Sequence, residues 1–445
     1  MAKLLISGGA IATNDDRQTV IDRGYVIVED QWIVAVGSGS PPTDTYDRTL
    51  DATGMLVIPG LINAHTHLCM VYGRSLGSDR ALLHWLSDAQ VPLMRAFELP
   101  DYALSMELGA IENIKAGNTT LCEIFFSPHY DQGADEVAVE SLARTGIRTF
   151  FFRGSNDESF FDGFVENRQD ILRRSKNLIR KWHPSHRIQI GVGPLVPWGS
   201  TAEAFMDAVA LSQAENVLIH LHTSETPAYN QLVRQRTGKS NVEMLADVGA
   251  LSDRVMLNHC VHLSDRDIQL IAEGRASVIH DPTSNMILAS GVAPIPQLQQ
   301  AGIPLGLACD GPACNNTQDM FQTMKDAALL QKVTTRQADA LIAPQVFSMA
   351  TRGNAQALGM GNCLGAVQTG FLADLTLVNL QSPHLTPAHD PIATLVYSAR
   401  GADVSAVVVG GRVVMENRIL QTVCEADILE KAQQRTKAVR QKANL

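Results

Sequence analysis

Four short apolar runs in this chain end in residues able to bind a metal ion. The first closes on His65-Thr66-His67, the second on His220-Leu221-His222-Thr223-Ser224-Glu225, the third on His259 and the fourth on Asp310. In an extended chain, residues two apart face the same side, so His65 and His67 can present both imidazoles to one ion. A lone histidine is usually a packed or supporting residue, and so is most of any one of these features. Their conjunction is different, because imidazoles with a carboxylate are what zinc or ferrous iron prefers. Such an ion with an open position lowers the pKa of a bound water toward ~7 and makes hydroxide available at neutral pH. A glutamate three residues beyond a ligand, as Glu225 is beyond His222, can then move protons without binding the ion.

Chemistry of this kind needs strands that stop together. Eight candidates occur at 61–64, 119–126, 149–153, 188–193, 217–222, 255–258, 277–280 and 305–308, with helical patterns between them, among them 102–116, 202–213 and 318–330. That alternation predicts a (β/α)₈ TIM-type barrel, whose sites collect at the C-terminal strand ends. A doubly wound open sheet is the alternative, but its Gly-x-Gly-x-x-Gly turn after the first strand is missing. Both chain ends are strand-rich. Leu4–Thr13, Tyr25–Val28 and Trp32–Val36 lie before the barrel, and Ala373–Leu380, Ser405–Val409 and Arg412–Met415 lie after it, with Gly410-Gly411 as a hairpin turn. The expected organisation is a small β-sandwich from residues 1–58 and 365–425, a catalytic barrel over 59–364 and a terminal helix over 426–445.

The 445 residues, 45% apolar and 18% charged, describe an ordinary globular chain long enough for a large core. Its net charge of −10 and the absence of a basic stripe argue against a nucleic-acid partner. No apolar stretch approaches the ~20 residues of a membrane span, and the first residues lack the pattern of a signal peptide. Seven scattered cysteines without a Cys-x-x-Cys pair suit reduced thiols, so a cytoplasmic location is expected.

The series Pro59-Gly60-Leu61-Ile62-Asn63-Ala64-His65-Thr66-His67, His222-Thr223-Ser224-Glu225, His259-Cys260-Val261-His262, His280-Asp281-Pro282-Thr283-Ser284-Asn285 and Asp310-Gly311 resembles the amidohydrolase superfamily. Within it, the branch of S-adenosylhomocysteine/methylthioadenosine deaminases, guanine deaminases and s-triazine hydrolases is the most similar. The resemblance runs nearly end to end and includes the closing strands at 370–380 and 404–418. It implies that His65, His67, His222 and Asp310 bind one divalent ion, Zn²⁺ or alternatively Fe²⁺. It also implies that Glu225 carries a proton to a ring nitrogen, that His259 polarises the water or the tetrahedral centre, and that Asp310 accepts a proton. His220, His262 and His280 are expected to support or merely pack, and His84, His183 and His186 to lie on the surface or on helices. Binuclear relatives use a carbamylated lysine at a middle strand end; 119–126 and 149–153 have none, so one ion is expected, with two as the runner-up.

The implied reaction is hydrolytic removal of an amino group, as ammonia, from a purine, pterin or triazine type of heterocycle. The alternatives are a deaminase of S-adenosylhomocysteine, methylthioadenosine or adenosine proper and an s-triazine chlorohydrolase. A cyclic amidase and a non-catalytic binding protein are more distant readings. Two departures bear on the choice. Aligned without a gap from Trp85-Leu86 through Pro92, the family's ribose-binding glutamate becomes Met94, although a shift of a few residues would bring Glu98 there. The family's substrate-contacting histidine corresponds to Leu195. Cys314 matches the triazine deaminases, and Trp85, Trp198 and Arg153 are candidate pocket residues. The expected partner is a small N-heterocycle, with a homodimer or larger homo-oligomer as the assembly.

Overall fold

The computed structural model describes residues 2–445 except Ser159, Pro184 and His186; the expectation for His186 therefore lies outside the described residues. Eight parallel strands form the central sheet in sequential order: β1 (Leu61–Thr66), β2 (Asn118–Phe125), β3 (Arg148–Ser155), β4 (Ile188–Pro194), β5 (Ile219–Thr223), β6 (Val255–His259), β7 (Ser277–His280) and β8 (Leu305–Leu307). Nearly every residue in them is buried, as strands covered on both faces must be. Capping residues start the intervening helices. Thr201 caps Ala202–Glu215, and Ser240 with Glu243 and Ser264 with Asp267 form capping boxes at Asn241–Asp247 and Asp265–Gly274. This is the expected barrel.

β8 returns to β1 through side chains rather than a ladder. Asn354 Nδ2 donates to the carbonyls of Ile62 (2.7 Å) and Leu307 (2.8 Å), while its Oδ1 accepts from Leu307 N–H at 2.9 Å. Gly306 makes room for it, since a Cβ there would lie 2.2 Å from Asn354 Oδ1. One backbone bond, Asp310 N–H to the His65 carbonyl at 3.0 Å, completes the seam just above the strands.

The two chain ends share a sheet: Met55–Pro59 pairs antiparallel with Leu375–Asn379. The run 4–13 is two strands rather than one, and this corrects the sequence expectation. Lys3–Ser7 joins a four-stranded sheet and Ala10–Ala12 a seven-stranded one, because Gly8 takes a φ of +92° that turns the chain between sheets. Ile6, Val26, Val28, Leu375 and Val408 are among the residues of the separate apolar core between them. The Gly410-Gly411 hairpin forms with both glycines at positive φ, as a two-residue primed turn requires. The final helix, Glu425–Lys442, docks on Leu99–Lys115 through Arg435, whose Nη2 donates to buried Asp101 at 2.7 Å. Among the described residues, no helix is long and apolar enough to cross a membrane.

Sandwich and barrel are clamped by one buried ion pair. Arg148 at the start of β3 donates from Nε (2.8 Å) and Nη2 (2.9 Å) to the two oxygens of Asp374, which also accepts from Gly410 N–H at 2.7 Å. Both side chains are at most 2% exposed, so removing one partner strands a charge. Arg148→Ala is expected to lower unfolding free energy by about 3–5 kcal/mol, measured by urea denaturation; an unchanged midpoint would count against the clamp.

Candidate active site

The metal-capable residues meet at the C-terminal mouth of the barrel. His65 and His67 leave β1, His222 leaves β5, His259 ends β6 and Asp310 follows β8, all buried. His67 Nε2 lies 3.0 Å from His222 Nε2, and Asp310 Oδ1 lies 3.4 Å from His65 Nε2 and 3.7 Å from His67 Nε2. The possible ligand atoms of His65, His67 and His222 lie within 4.8 Å of one another, as do those of His65, His259 and Asp310.

The opposite ring nitrogens fix what these atoms are. His67 Nδ1–H donates to the Ile124 carbonyl at 2.7 Å and His222 Nδ1–H to the Leu195 carbonyl at 2.9 Å, so each Nε2 carries a lone pair. Burial holds His65, His67 and His222 below the ordinary histidine pKa and therefore neutral. Burial works against the charge of Asp310, but His65, His259 and His67 around it hold its carboxyl well below the usual range. His65 Nε2 is buried and makes no hydrogen bond. Neutral nitrogen lone pairs and a carboxylate facing one another in a buried cluster fit a divalent cation.

Further residues aim these groups. Ser224, His259 and Asp310 have φ of +53°, +66° and +64°, a region that few non-glycine residues occupy and that carries strain. At His259 the consequence is direct. Asn258 faces inward, and strand alternation would send the next side chain out; the left-handed turn brings His259 in as well. There its Nδ1–H donates to Asn285 Oδ1 at 3.0 Å, and its Nε2 lies 3.8 Å from Glu225 Oε2. Burial opposes its charge, yet Glu225, Asp281 and Asp310 raise its pKa to about 9. Glu225 is itself raised, chiefly by burial, and accepts from Ser290 Oγ at 3.2 Å. Ser284 Oγ donates to Asp310 Oδ2 at 2.6 Å, and Gln318 Nε2 to the Asp310 carbonyl at 2.7 Å. Asn258 bridges His65 Nδ1 and His220 Nε2, the latter at 2.9 Å.

A pocket opens over this cluster. Of the candidate pocket residues, the lining includes Trp85, Trp198, Leu195 and Cys314, together with Phe126 and Phe160. Met94 and Arg153 are not brought there. Met94 is fully buried in the helix Val91–Arg95. Phe152 packs 4.7 Å from the inward His220 ring, so Arg153, the next residue on β3, faces out of the barrel. Its guanidinium binds Asp135 (2.9 Å) and Glu166 (2.8 Å), and it lies over the Tyr130 ring. That charge is satisfied structurally. Glu98 caps the helix Leu99–Lys115 and pairs with Arg435 at 3.0 Å, so a shifted alignment brings no carboxylate either. His262 supports, its Nε2–H donating to the Ser290 carbonyl at 2.7 Å; His280 is packed. His84 is exposed on a helix and His183 is half-buried just after one.

The model of the Amidohydrolase family matches residues 56–414. The chain belongs to the amidohydrolase family. It is 38% identical over 416 residues to a 5′-deoxyadenosine deaminase of Methanothermobacter thermautotrophicus, covering 93% of this chain and 94% of that one. A 5-methylthioadenosine/S-adenosylhomocysteine deaminase of Syntrophomonas wolfei is 34% identical over 435 residues, covering 97% and 98%. Among solved structures, a zinc-bound adenosine deaminase from Xanthomonas campestris superimposes with a TM-score of 0.92 at 28% identity over 99% of both chains. The chain is thus a hydrolase acting on carbon–nitrogen bonds, with His65, His67, His222, His259 and Asp310 in groups that could hold a metal ion.

Partners that orient a ligand histidine typically change metal affinity 10–100-fold when removed. Asn258→Ala is therefore expected to weaken zinc retention by about that factor in a chelator competition, with the far-ultraviolet spectrum unchanged. Wild-type retention would show that Asn258 does not orient His65.

Proposed function

We propose that this amidohydrolase is a cytoplasmic, zinc-dependent aminohydrolase that replaces a ring amino group with oxygen and releases ammonia. The observation that carries the reading is Glu225. It sits three residues beyond His222, outside both groups of potential ligands, with its carboxyl facing the pocket and His259. A deaminase needs such a group, because an amino substituent leaves only after protonation.

His65, His67, His222 and Asp310 would hold one ion, whose Lewis acidity lowers the pKa of a water toward ~7. The two potential ligand groups share His65, and β2 and β3 carry no lysine, which supports one ion rather than two. As water adds to the amino-bearing carbon, Glu225 takes one of its protons and delivers it to the adjacent ring nitrogen. Its pKa, raised chiefly by burial, suits a group that must accept a proton and then give it up. His259, held charged by its acidic neighbours, donates a hydrogen bond to the oxygen as negative charge develops there. Asp310, aligned by Ser284, accepts the second proton and passes it to the leaving amine. The described cysteines are all free, in keeping with a reducing compartment.

Ammonia release from zinc-loaded protein, measured against amino-purines, pterins and triazines, tests the reaction. Glu225→Gln should reduce it by roughly 10²–10⁴-fold while zinc content by elemental analysis stays at the wild-type level. Wild-type turnover by that variant would refute the proton-transfer role. His65→Ala and Asp310→Ala should lose zinc and rate together, and full zinc occupancy in either would remove that residue from the ligand set.

A further inference from the structure

The pocket is divided sharply in chemistry. Its polar side chains lie almost wholly at the floor, where His67, His222, Glu225, His259 and Asp310 meet. The mouth and upper walls are Leu82, Phe160 and Trp198, with Trp85, Leu86 and Leu288 alongside. Two further polar side chains of the lining are already committed. Tyr229 O–H donates to the His222 carbonyl at 2.7 Å, and the Cys314 thiol to the Gly311 carbonyl at 3.2 Å. Among the described lining residues, Glu225 and Asp310 are the only carboxylates, and both belong to the floor. The Trp198 indole N–H is buried without a hydrogen-bond partner, but it is a donor only. A sugar diol set against it would still have two O–H protons without an acceptor.

We infer that this site takes a flat amino-heterocycle whose other substituent is apolar, and that it discriminates against the ribosylated form of the same ring. This rests on the deaminase reading above and narrows its substrate class. The amino end of the ring belongs on the floor, because that is where Glu225 can reach a ring nitrogen. The opposite substituent must then point to the walls. There an alkyl, aryl or thioether group gains contact area, and the aromatic faces of Trp85, Trp198 and Phe160 suit a flat ring or its apolar arm. A diol in the same place gives up its water with no side-chain acceptor in the walls to take its O–H protons. An apolar pocket rejects a single added hydroxyl by about 10²-fold at most, so the preference is expected to be one to two orders of magnitude. The specificity differs in this respect from what the names of the nucleoside-deaminating relatives would imply.

A matched pair isolates the effect: 9-propyladenine and 5′-deoxyadenosine carry the same reacting amine and differ in the arm. With the zinc-loaded enzyme, kcat/KM for 9-propyladenine should exceed that for 5′-deoxyadenosine by tenfold or more. Equal values, or a preference for the nucleoside, would overturn the inference. Equilibrium binding to zinc-loaded Glu225→Gln protein, followed by quenching of Trp85 and Trp198, provides a readout independent of chemistry. Tighter binding of 9-propyladenine by at least tenfold is expected there; equal affinities, or no binding of 9-propyladenine, would overturn it. If the binding preference held while neither compound nor any amino-purine, pterin or triazine of the panel released ammonia, the deaminase reading would fail and the specificity would stand.

Discussion

Two imidazole lone pairs face each other across 3.0 Å at the mouth of this barrel. The Nδ1 protons of His67 and His222 are given to the carbonyls of Ile124 and Leu195, so neither ring can turn its proton inward without losing a buried hydrogen bond. Burial also keeps both rings neutral. The arrangement is repulsive by itself and becomes favourable around a cation. Much of the surrounding architecture serves to hold it. The carbonyls that fix the two tautomers lie on β2 and in the loop after β4, so the orientation of the ligands depends on the register of neighbouring strands. The bond from Asp310 N–H to the His65 carbonyl sets the carboxylate against the histidines across the seam where the barrel closes.

Holding side chains at strand ends conflicts with strand geometry. Alternation gives an inward side chain at every second position, and the site needs His259 beside the inward Asn258. The left-handed backbone at His259 resolves this at a local cost of about 1–3 kcal/mol, and Asp310 carries a similar strain. Contacts made only in the folded state offset those costs. Asn285 and Asp281 hold His259 from the segment after β7, while Ser284 and Gln318 hold Asp310. The motif from His280 to Asn285 thus works through other residues: it orients the groups that act.

This division explains how far the sequence could be read. The barrel, the His65/His67 pair, His222, Glu225, His259 and Asp310 were legible because strand ends, two-residue spacing and motif order are local signals. Asn258 was not, since its value lies in touching His65, 193 positions away. Ser284 and Asn285 were visible as a motif, but their partners Asp310 and His259 are 26 positions away on other strands. Arg153 misled for the opposite reason. An arginine near the end of a barrel strand suggests a ligand contact, yet which face of the strand it occupies depends on parity, and Asp135 and Glu166 had already neutralised it. At the N-terminus, Gly8-Gly9 was legible as turn chemistry within the run 4–13, but which sheet each half joins depends on distant partners, Gly24–Glu29 for the first and Met55–Pro59 for the second.

The floor and the walls of the pocket answer to different constraints. Every floor residue is tied to a strand end and to a hydrogen-bond partner, so altering one disturbs the others, and the reaction follows from the set as a whole. Most of the walls come from elements outside that network: the helix Leu82–Trp85, Phe160 and the turn Pro197–Gly199. Their side chains can change without moving a ligand. A family resemblance carried by floor motifs therefore identifies the bond that is broken far more firmly than the molecule that contains it. In this chain the wall is apolar where a nucleoside would need partners, and the physical information about the substrate lies there.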